Sequence, residues 1–259
     1  TAFNIAFNRN KVLELGGEEY KEMAEGDGHL KTGSVRRLIV GEPIGVFYGY
    51  RFDGIFQNEE ECKQQTSSAS PIGVGLRRYK DLNGDGKVDA ANDREILGDA
   101  NPKFFGGLTN TFAYKGFELN VFLQYSYGNK ILNYNAMELE NPTGGQNAYA
   151  DMVNRWTPEN PYSEGPRTWD RENQYWINND NTYFMRNANY LRLKNIELGY
   201  TFNFEGLKKA GISNLRLYTN GTNLITIDGV KDADPEQRDA SLGGYPLRKI
   251  INFGVQATF

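Results

Sequence analysis

The residues whose types and spacing best suit metal binding form an acidic run at 81–93. Oxygen-bearing side chains recur at alternate positions, so a tight loop would turn them toward one hard cation such as Ca²⁺ or Mg²⁺. The spacing matches the first three-quarters of an EF-hand-type calcium loop, which predicts a structural metal site. The predicted ligands are Asp81, Asn83, Asp85, Lys87 through its backbone carbonyl, Asp89 and Asp93.

The closing ligand of this loop departs from the EF-hand pattern. Position twelve, which usually supplies a bidentate Glu, is Asn92, with Asp93 and Glu95 just beyond it. We expect Asp93 to close the loop, and Gly86 at position six to permit the sharp bend. Clusters of Asp, Asn and Gly also form ordinary turns, so a turn that holds no metal is the alternative.

Residues of the common hydrolytic mechanisms are scarce. His29 is the only histidine, and it lies in a polar stretch typical of a solvated loop. Cys62 is the only cysteine, which excludes a disulfide framework and a cysteine-based zinc site. A glycoside hydrolase would need two carboxylates across a cleft, but the spacing of Glu138, Glu140 and Asp151 does not single them out. The sequence therefore predicts a protein without enzymatic activity.

The acidic run lies among segments in which apolar and polar residues alternate, as in the strands of a sheet. In the last segment, 247–259, Phe253 and Val255 share one face, whereas Asn252 and Gln256 share the other. Transmembrane barrel strands have this pattern, with lipid on one face and a wet lumen on the other. The predicted strands are 3–7, 45–56, 104–114, 117–127, 190–204, 215–227 and 247–259, with 35–40 as a candidate eighth.

The connections between these segments alternate in length. The connections 115–116 and 205–213 are short, whereas 57–103, 128–189 and 228–246 are long and polar. Outer-membrane barrels have short periplasmic turns and long outer loops. If the last strand runs inward, all three long connections lie on the outer side. The pattern predicts part of an antiparallel barrel wall with long outer loops.

Composition agrees with this all-β prediction. The chain has 259 residues, a net charge of -4 and 13% aromatic residues, which favour strands and also form interfacial girdles around barrels. An acidic chain is a poor partner for nucleic acid, because neutralising phosphates needs a basic face. No apolar run of about 18 residues is present, so a membrane helix is excluded, whereas barrel strands of about 10 residues are not.

Five stretches of the sequence resemble one family, the SusC/RagA family of TonB-dependent transporters. The resemblance covers essentially the whole chain, in order and at plausible spacing. The family usually has an Asp at the twelfth position of the acidic loop, and an extra Ala at 90 or 91 shifts that role to Asp93 here. The matching stretches are 40–56, 79–107, 155–161, 190–201 and 245–254.

The resemblance implies that 1–259 is the C-terminal part of a barrel of about 22 strands with a plugged lumen. It implies an outer-membrane protein that imports oligosaccharides or oligopeptides with a SusD-like surface lipoprotein. TonB would act through an N-terminal part that this chain lacks, as it lacks the plug and the remaining strands. Aromatic residues of the long loop, Trp156, Trp169 and Trp176, are candidate contacts for substrate or partner. A calcium-dependent surface adhesin or binding module, and a passive porin, are the alternative functions.

Overall fold

The computed structural model describes residues 1–23, 34–140, 147–167, 180–209, 211–230, 233–237, 245 and 247–259. Short helices interrupt the strands of this part of the chain, and none of them is long and apolar enough to cross a membrane. The helices are α1 (Glu59–Gln64), α2 (Tyr134–Leu139) and α3 (Glu205–Lys209), with 3-10 helices at Ala150–Asn154 and Thr182–Phe184. The strands are β1 (Ala2–Ala6), β2 (Tyr20–Glu22), β3 (Arg36–Ile39), β4 (Val46–Tyr50), β5 (Phe52–Ile55), β6 (Thr66–Ser67), β7 (Arg77–Tyr79), β8 (Lys87–Val88), β9 (Arg94–Gly98), β10 (Phe104–Tyr114), β11 (Phe117–Tyr127), β12 (Lys130–Leu132), β13 (Met185–Asn187), β14 (Tyr190–Phe202), β15 (Asn214–Asp228) and β16 (Ile250–Thr258).

The long strands form one antiparallel sheet of six, which we call the wall sheet. Its order is β1-β10-β11-β14-β15-β16. A tight turn at Lys115 and Gly116, both with positive φ (47° and 88°), joins β10 to β11. The segment 203–213 joins β14 to β15, whereas the other connections between neighbouring strands are long. The alternation of short and long connections is therefore confirmed.

The register of the wall sheet separates apolar from polar side chains. Leu119 pairs with Leu198, and the next residue, Asn120, pairs with Glu197. Paired residues of antiparallel strands point to the same side of a sheet, so each alternating strand contributes to one apolar face and one polar face. The apolar face is largely exposed, with Phe253 84% accessible. This confirms the predicted two-faced sheet.

The long connections form sheets of their own outside the wall sheet, and we call them the loop region (the described residues of 7–103, 128–189 and 229–249). It contains the four-stranded sheet β2-β3-β4-β9 and the strand pairs β5-β7, β6-β8 and β12-β13. Residues from two different connections meet in its main hydrophobic cluster, so the loops stabilise one another by burying apolar surface. That cluster contains Val35, Phe47, Leu132, Ala136, Met137 and Phe184.

The predicted wall strand 45–56 is wrong. This stretch breaks at Arg51 into β4 and β5, which belong to the loop region. Val46, Phe47 and Tyr50 are each at most 2% exposed, so both faces of β4 are buried, whereas a barrel strand faces lipid on one side and the lumen on the other. The first long connection therefore spans 7–103 rather than 57–103, and the candidate strand 35–40 also lies in the loop region as β3.

Candidate sites in the loop region and on the polar face of the wall

The acidic run 81–93 forms a compact loop between β7 and β9. Asp81 closes its first turn, because one carboxylate oxygen accepts a hydrogen bond from the Gly84 amide and the other from the Gly86 amide, both at 2.7 Å. Gly84 and Gly86 have φ values of +75° and +79°, a conformation that glycine adopts without strain. The predicted bend at Gly86 is thus confirmed.

Asp93 closes the other end of this loop from a fully buried position. Its side chain is 0% exposed, and its two oxygens accept hydrogen bonds from the amides of Leu82 and Asp89, both at 2.8 Å. An amide left without a partner in the interior costs about 1–3 kcal/mol. Asp93 therefore holds the two ends of the loop together through backbone hydrogen bonds.

The other acidic side chains of the loop also act as hydrogen-bond acceptors. Asp85 accepts from the Lys87 amide at 2.8 Å and from the Asn83 side chain at 2.9 Å. Lys87 lies 2.9 Å from Asp89, so a protein cation already neutralises that carboxylate, and this hydrogen bond lowers the pKa of Asp89.

The four carboxylates of the loop, those of Asp81, Asp85, Asp89 and Asp93, accept hydrogen bonds from the loop itself. Within the described part of the chain, no three or more His, Cys, Asp or Glu side chains converge closely enough to hold a metal ion. These hydrogen bonds organise the turns of the loop, as in ordinary turns formed by Asp, Asn and Gly. Calcium at this loop stays a prediction.

Trp156 lies in the loop region, and its side chain packs inward. Its ring is 8% exposed and covers Gly75, where an added Cβ would come within 2.5 Å of the indole. Its Nε1 donates to Gln57 Oε1 at 3.4 Å. The structure therefore gives Trp156 a packing role, and its contact with substrate or partner stays a prediction. Trp169, Trp176 and His29 lie outside the described residues.

A buried ion pair fastens the loop region at Asp180, which the sequence did not point to. Asp180 is 4% exposed, and its carboxylate lies 2.9 Å from Arg94. Burial raises the pKa of Asp180 from 3.8 to about 6, although the positive charge of Arg94 opposes this shift. The Asp180 carbonyl accepts from the Tyr50 amide at 2.9 Å. A Cβ at residue 49 would lie 2.1 Å from that carbonyl, so this close approach requires Gly49.

On the polar face of the wall sheet, Arg192 anchors a short piece of the third long connection. Its guanidinium is about 1% exposed and donates to Thr226 at 3.0 Å, to Asp234 at 2.8 Å and to Glu236. A buried arginine with several hydrogen-bonded carboxylate partners avoids the cost of an isolated charge. The segment 233–237 is therefore held against the wall rather than standing away from it.

Glu236 is the centre of this network. It also accepts hydrogen bonds from Gln124 at 2.9 Å, from Tyr190 at 3.1 Å and from Lys194 at 3.2 Å. These partners belong to β11 and β14, so one carboxylate joins two wall strands to the segment 233–237. The sequence offers one signal for this network, namely basic residues on the polar face of β14 and acidic residues in the third long connection, between β15 and β16.

A second charged group lies on the same face, toward the other end of the strands. Arg216 on β15 lies 2.8 Å from Glu197 on β14 and 3.8 Å from Glu118 on β11. The three residues cross three neighbouring strands. The polar face therefore carries paired charges of both signs, which keeps it compatible with water but not with lipid.

Comparison with known proteins agrees with this architecture. No protein-family model matches the chain. TonB-dependent receptor P3 of Formosa agariphila is 36% identical over a 272-residue alignment that covers 100% of this chain and 26% of that receptor. TonB-dependent receptor SusC of Bacteroides thetaiotaomicron is 25% identical over 271 residues, covering 100% of this chain and 24% of SusC. The chain thus spans about a quarter of the length of these relatives.

A solved structure shows the same fold. The structure of the RagAB peptide transporter matches with a TM-score of 0.77 at 22% identity, covering 99% of this chain and 27% of the matched chain. The fold and these relatives define the class: the chain is part of an outer-membrane β-barrel, as predicted. The predicted relationship to the SusC/RagA family of TonB-dependent transporters is confirmed.

Proposed function

We propose that the whole protein imports a nutrient across the outer membrane in a TonB-dependent manner, and that this chain supplies barrel wall and outer loops. The observation that carries the proposal is the wall sheet, with an apolar face for lipid and a polar, ion-paired face for the lumen. The names of the relatives, which are receptors and a peptide transporter, support the same function.

The finer parts of the proposal rest on the resemblance to SusC and RagA. The cargo is an oligosaccharide or an oligopeptide, and a SusD-like surface lipoprotein is the partner at the outer loops. TonB would couple import to the inner-membrane proton gradient through a part of the protein outside this chain. In this proposal the chain transports its cargo unchanged and performs no chemistry on it.

Uptake in the native host tests the proposal. Cells that carry the full-length gene are compared with a deletion strain and with a strain that lacks TonB, using labelled oligosaccharides and peptides. We expect saturable uptake that is lost in both mutant strains. Uptake that persists without TonB and rises linearly with concentration would instead indicate a passive porin.

A second measurement separates import from adhesion. Mild detergent extraction of the full-length protein should recover a lipoprotein partner in a stable complex, which a SusD-like lid requires. Calcium-dependent attachment of cells to a surface, lost on deletion while uptake is unchanged, would favour the adhesin instead.

A further inference from the structure

A notch interrupts the wall sheet at its outer end, where the strands run into the long connections. Its volume is about 490 Å³, which lies within the range of about 300–1000 Å³ that is usual for ligand pockets. The notch is therefore large enough to hold part of a ligand molecule. Its lining residues include Phe104, Tyr127, Asn187, Asn189, Ile227 and Asp228.

The notch arises from the way in which β14 enters the wall sheet. This strand starts at Tyr190, which pairs with Asp228, the last residue of β15. The residues before it leave the sheet, since Asn187 belongs to β13 and pairs with β12 rather than with the wall. A gap therefore opens at the outer end of β14, with Tyr127 on one side and Ile227 on the other.

The notch is lined by apolar side chains that continue the apolar face of the wall. The rings of Phe104 and Tyr127 stack with their centroids 5.1 Å apart, and Ile227 is 65% exposed. Tyr125 pairs with Leu191, and Leu191 pairs with Ile227, so these side chains point to the same side of the sheet. Because this face meets lipid, the notch is open to the hydrocarbon of the outer leaflet.

Two lysines lie at the rim of the notch. The stem of Lys103 lies across Gly128, where an added Cβ would come within 2.6 Å of it. The Lys103 amide donates to the Tyr127 carbonyl at 2.8 Å. Its side chain is exposed, and among the described residues no carboxylate pairs with it. Lys130 donates to Asn187 Oδ1 at 2.6 Å, which uses one of the three donors of an ammonium group.

The charges at the notch favour an anion. Its one lining carboxylate, that of Asp228, accepts a hydrogen bond from the Val230 amide at 2.8 Å, and the two lysines outweigh its charge. Ammonium groups form their strongest hydrogen bonds with ionised oxygens such as those of phosphate. A free phosphate would leave the apolar lining of the notch uncovered, whereas a lipid without net charge would bring no countercharge for the lysines.

We propose that this notch binds one phosphorylated lipid of the outer leaflet, with an acyl chain along Phe104 and Ile227 and its phosphate at Lys103 and Lys130. The bound lipid would fill the gap at the outer end of β14. This inference goes beyond the proposed import function and does not depend on it, because the site needs only a wall that lies in the membrane.

Native mass spectrometry of the full-length protein, delipidated in detergent, tests the site with three probes: dimyristoylphosphatidic acid, dimyristoylphosphatidylcholine and inorganic phosphate. We expect the first copy of phosphatidic acid to bind at least about tenfold more tightly than phosphatidylcholine, corresponding to about 1.4 kcal/mol. Inorganic phosphate at the same concentration should not displace it. Equal binding of the two lipids, or displacement by inorganic phosphate, would overturn the proposal.

Variants localise the lipid. Lys103→Gln should weaken the first copy of phosphatidic acid about tenfold, and Lys103→Arg should retain most of the affinity. Ile227→Asn, at the apolar side of the notch, should weaken both lipids. Lys80→Gln, at an exposed lysine outside the notch, is the matched control and should change neither.

Near-ultraviolet circular dichroism checks that each variant is folded. Unchanged affinity in the folded Lys103→Gln variant would reject this site. A loss in Lys103→Gln together with unchanged affinity in Ile227→Asn would reject the acyl chain in the notch, and with it the lipid as the ligand.

Discussion

The wall sheet and the loop region are built from similar strand-forming residues, but they bury them in opposite ways. The largest fully buried side chains, among them Phe47, Tyr50 and Phe184, lie in the loop region, with Arg192 as the exception on the wall. In the wall sheet, large apolar side chains such as Leu198 and Phe253 remain 46% and 84% exposed. The described chain thus has an ordinary hydrophobic core in one region and an inverted pattern in the other.

The difference shows that two solvents shape one chain. The loop region gains stability by burying apolar surface, at about 25 cal/mol per Å². The wall sheet keeps its apolar face outside because lipid is its solvent there, and the strand ladders pair its backbone groups. A substitution should therefore act differently according to the region and the face in which it lies.

The largest effect should follow from truncating the core of the loop region. Phe47→Ala removes a ring that is 1% exposed. The free energy of unfolding of the loop region should fall by about 3–5 kcal/mol, because a cavity remains. Hydrogen exchange of the Tyr48 and Asn133 amides, which bond to Val35 and Phe184, reports this change. As the control, Phe253→Ala on the apolar face should leave those amides unchanged, since no cavity forms in the loop region.

The next largest loss of stability should come from placing an arginine on the apolar face of the wall strand β11. Val121→Arg places a cation in lipid and should destabilise the full-length protein in vesicles by about 2–4 kcal/mol. Asn120→Arg, one residue away on the polar face, should cost much less. Urea titration in lipid vesicles measures both variants. Equal losses in the two variants would contradict the assignment of the faces.

The pH dependence of the loop region should follow from Asp180. Because burial raises its pKa from 3.8 in the unfolded chain to about 6 in the folded protein, folding favours the protonated form. The stabilising contribution is fully present below about pH 3.8 and is lost as pH rises through about 6. Between pH 7.5 and pH 4.5, Asp180 should add about 2 kcal/mol to the free energy of opening.

Hydrogen exchange of the Tyr50 amide, which bonds to the Asp180 carbonyl, measures this pH dependence after correction for the intrinsic rate. Asp180→Asn should abolish the slope between pH 4.5 and 7.5. Glu95→Gln, which alters a more exposed carboxylate on the neighbouring β9, is the matched control and should leave the slope in place. A slope that survives Asp180→Asn would assign it to another group.

The smallest effect should come from removing divalent cations. Since Asp81 and Asp93 bond to backbone amides that close the loop, a turn that holds no metal predicts that a chelator leaves hydrogen exchange across 81–93 unchanged. Asp93→Ala should loosen the same amides regardless of calcium. Protection that falls with chelator and returns with Ca²⁺ would instead establish the calcium site that the spacing predicts.

Some features could be predicted because they depend on short-range pattern. The alternation in 117–127 and 190–202 sets the two faces of the wall sheet, and the pair Lys115–Gly116 sets a tight turn. The bend at Gly86 follows from the residue type, because glycine adopts positive φ without strain. The prediction of a wall strand at 45–56 was wrong because alternation does not reveal whether the second face of a strand meets a lumen or another layer of protein.

The contacts of the candidate sites depend on residues far apart in the chain. Arg192 meets Asp234 and Glu236, and Asp180 meets Arg94, across more than 40 positions in each case. The local spacing of these residues does not predict which ion-pair partner each one has. The contact between the rings of Phe52 and Tyr183 likewise arises only when two long connections pack together.

The sequence by itself determined which strands have one apolar and one polar face, because the two-residue period of a strand is a local property of the backbone. The tertiary structure alone decided which alternating segments join the wall sheet and which carboxylates pair with arginines. Those outcomes depend on which distant surfaces exclude water from each other, and this is settled only when the whole chain packs.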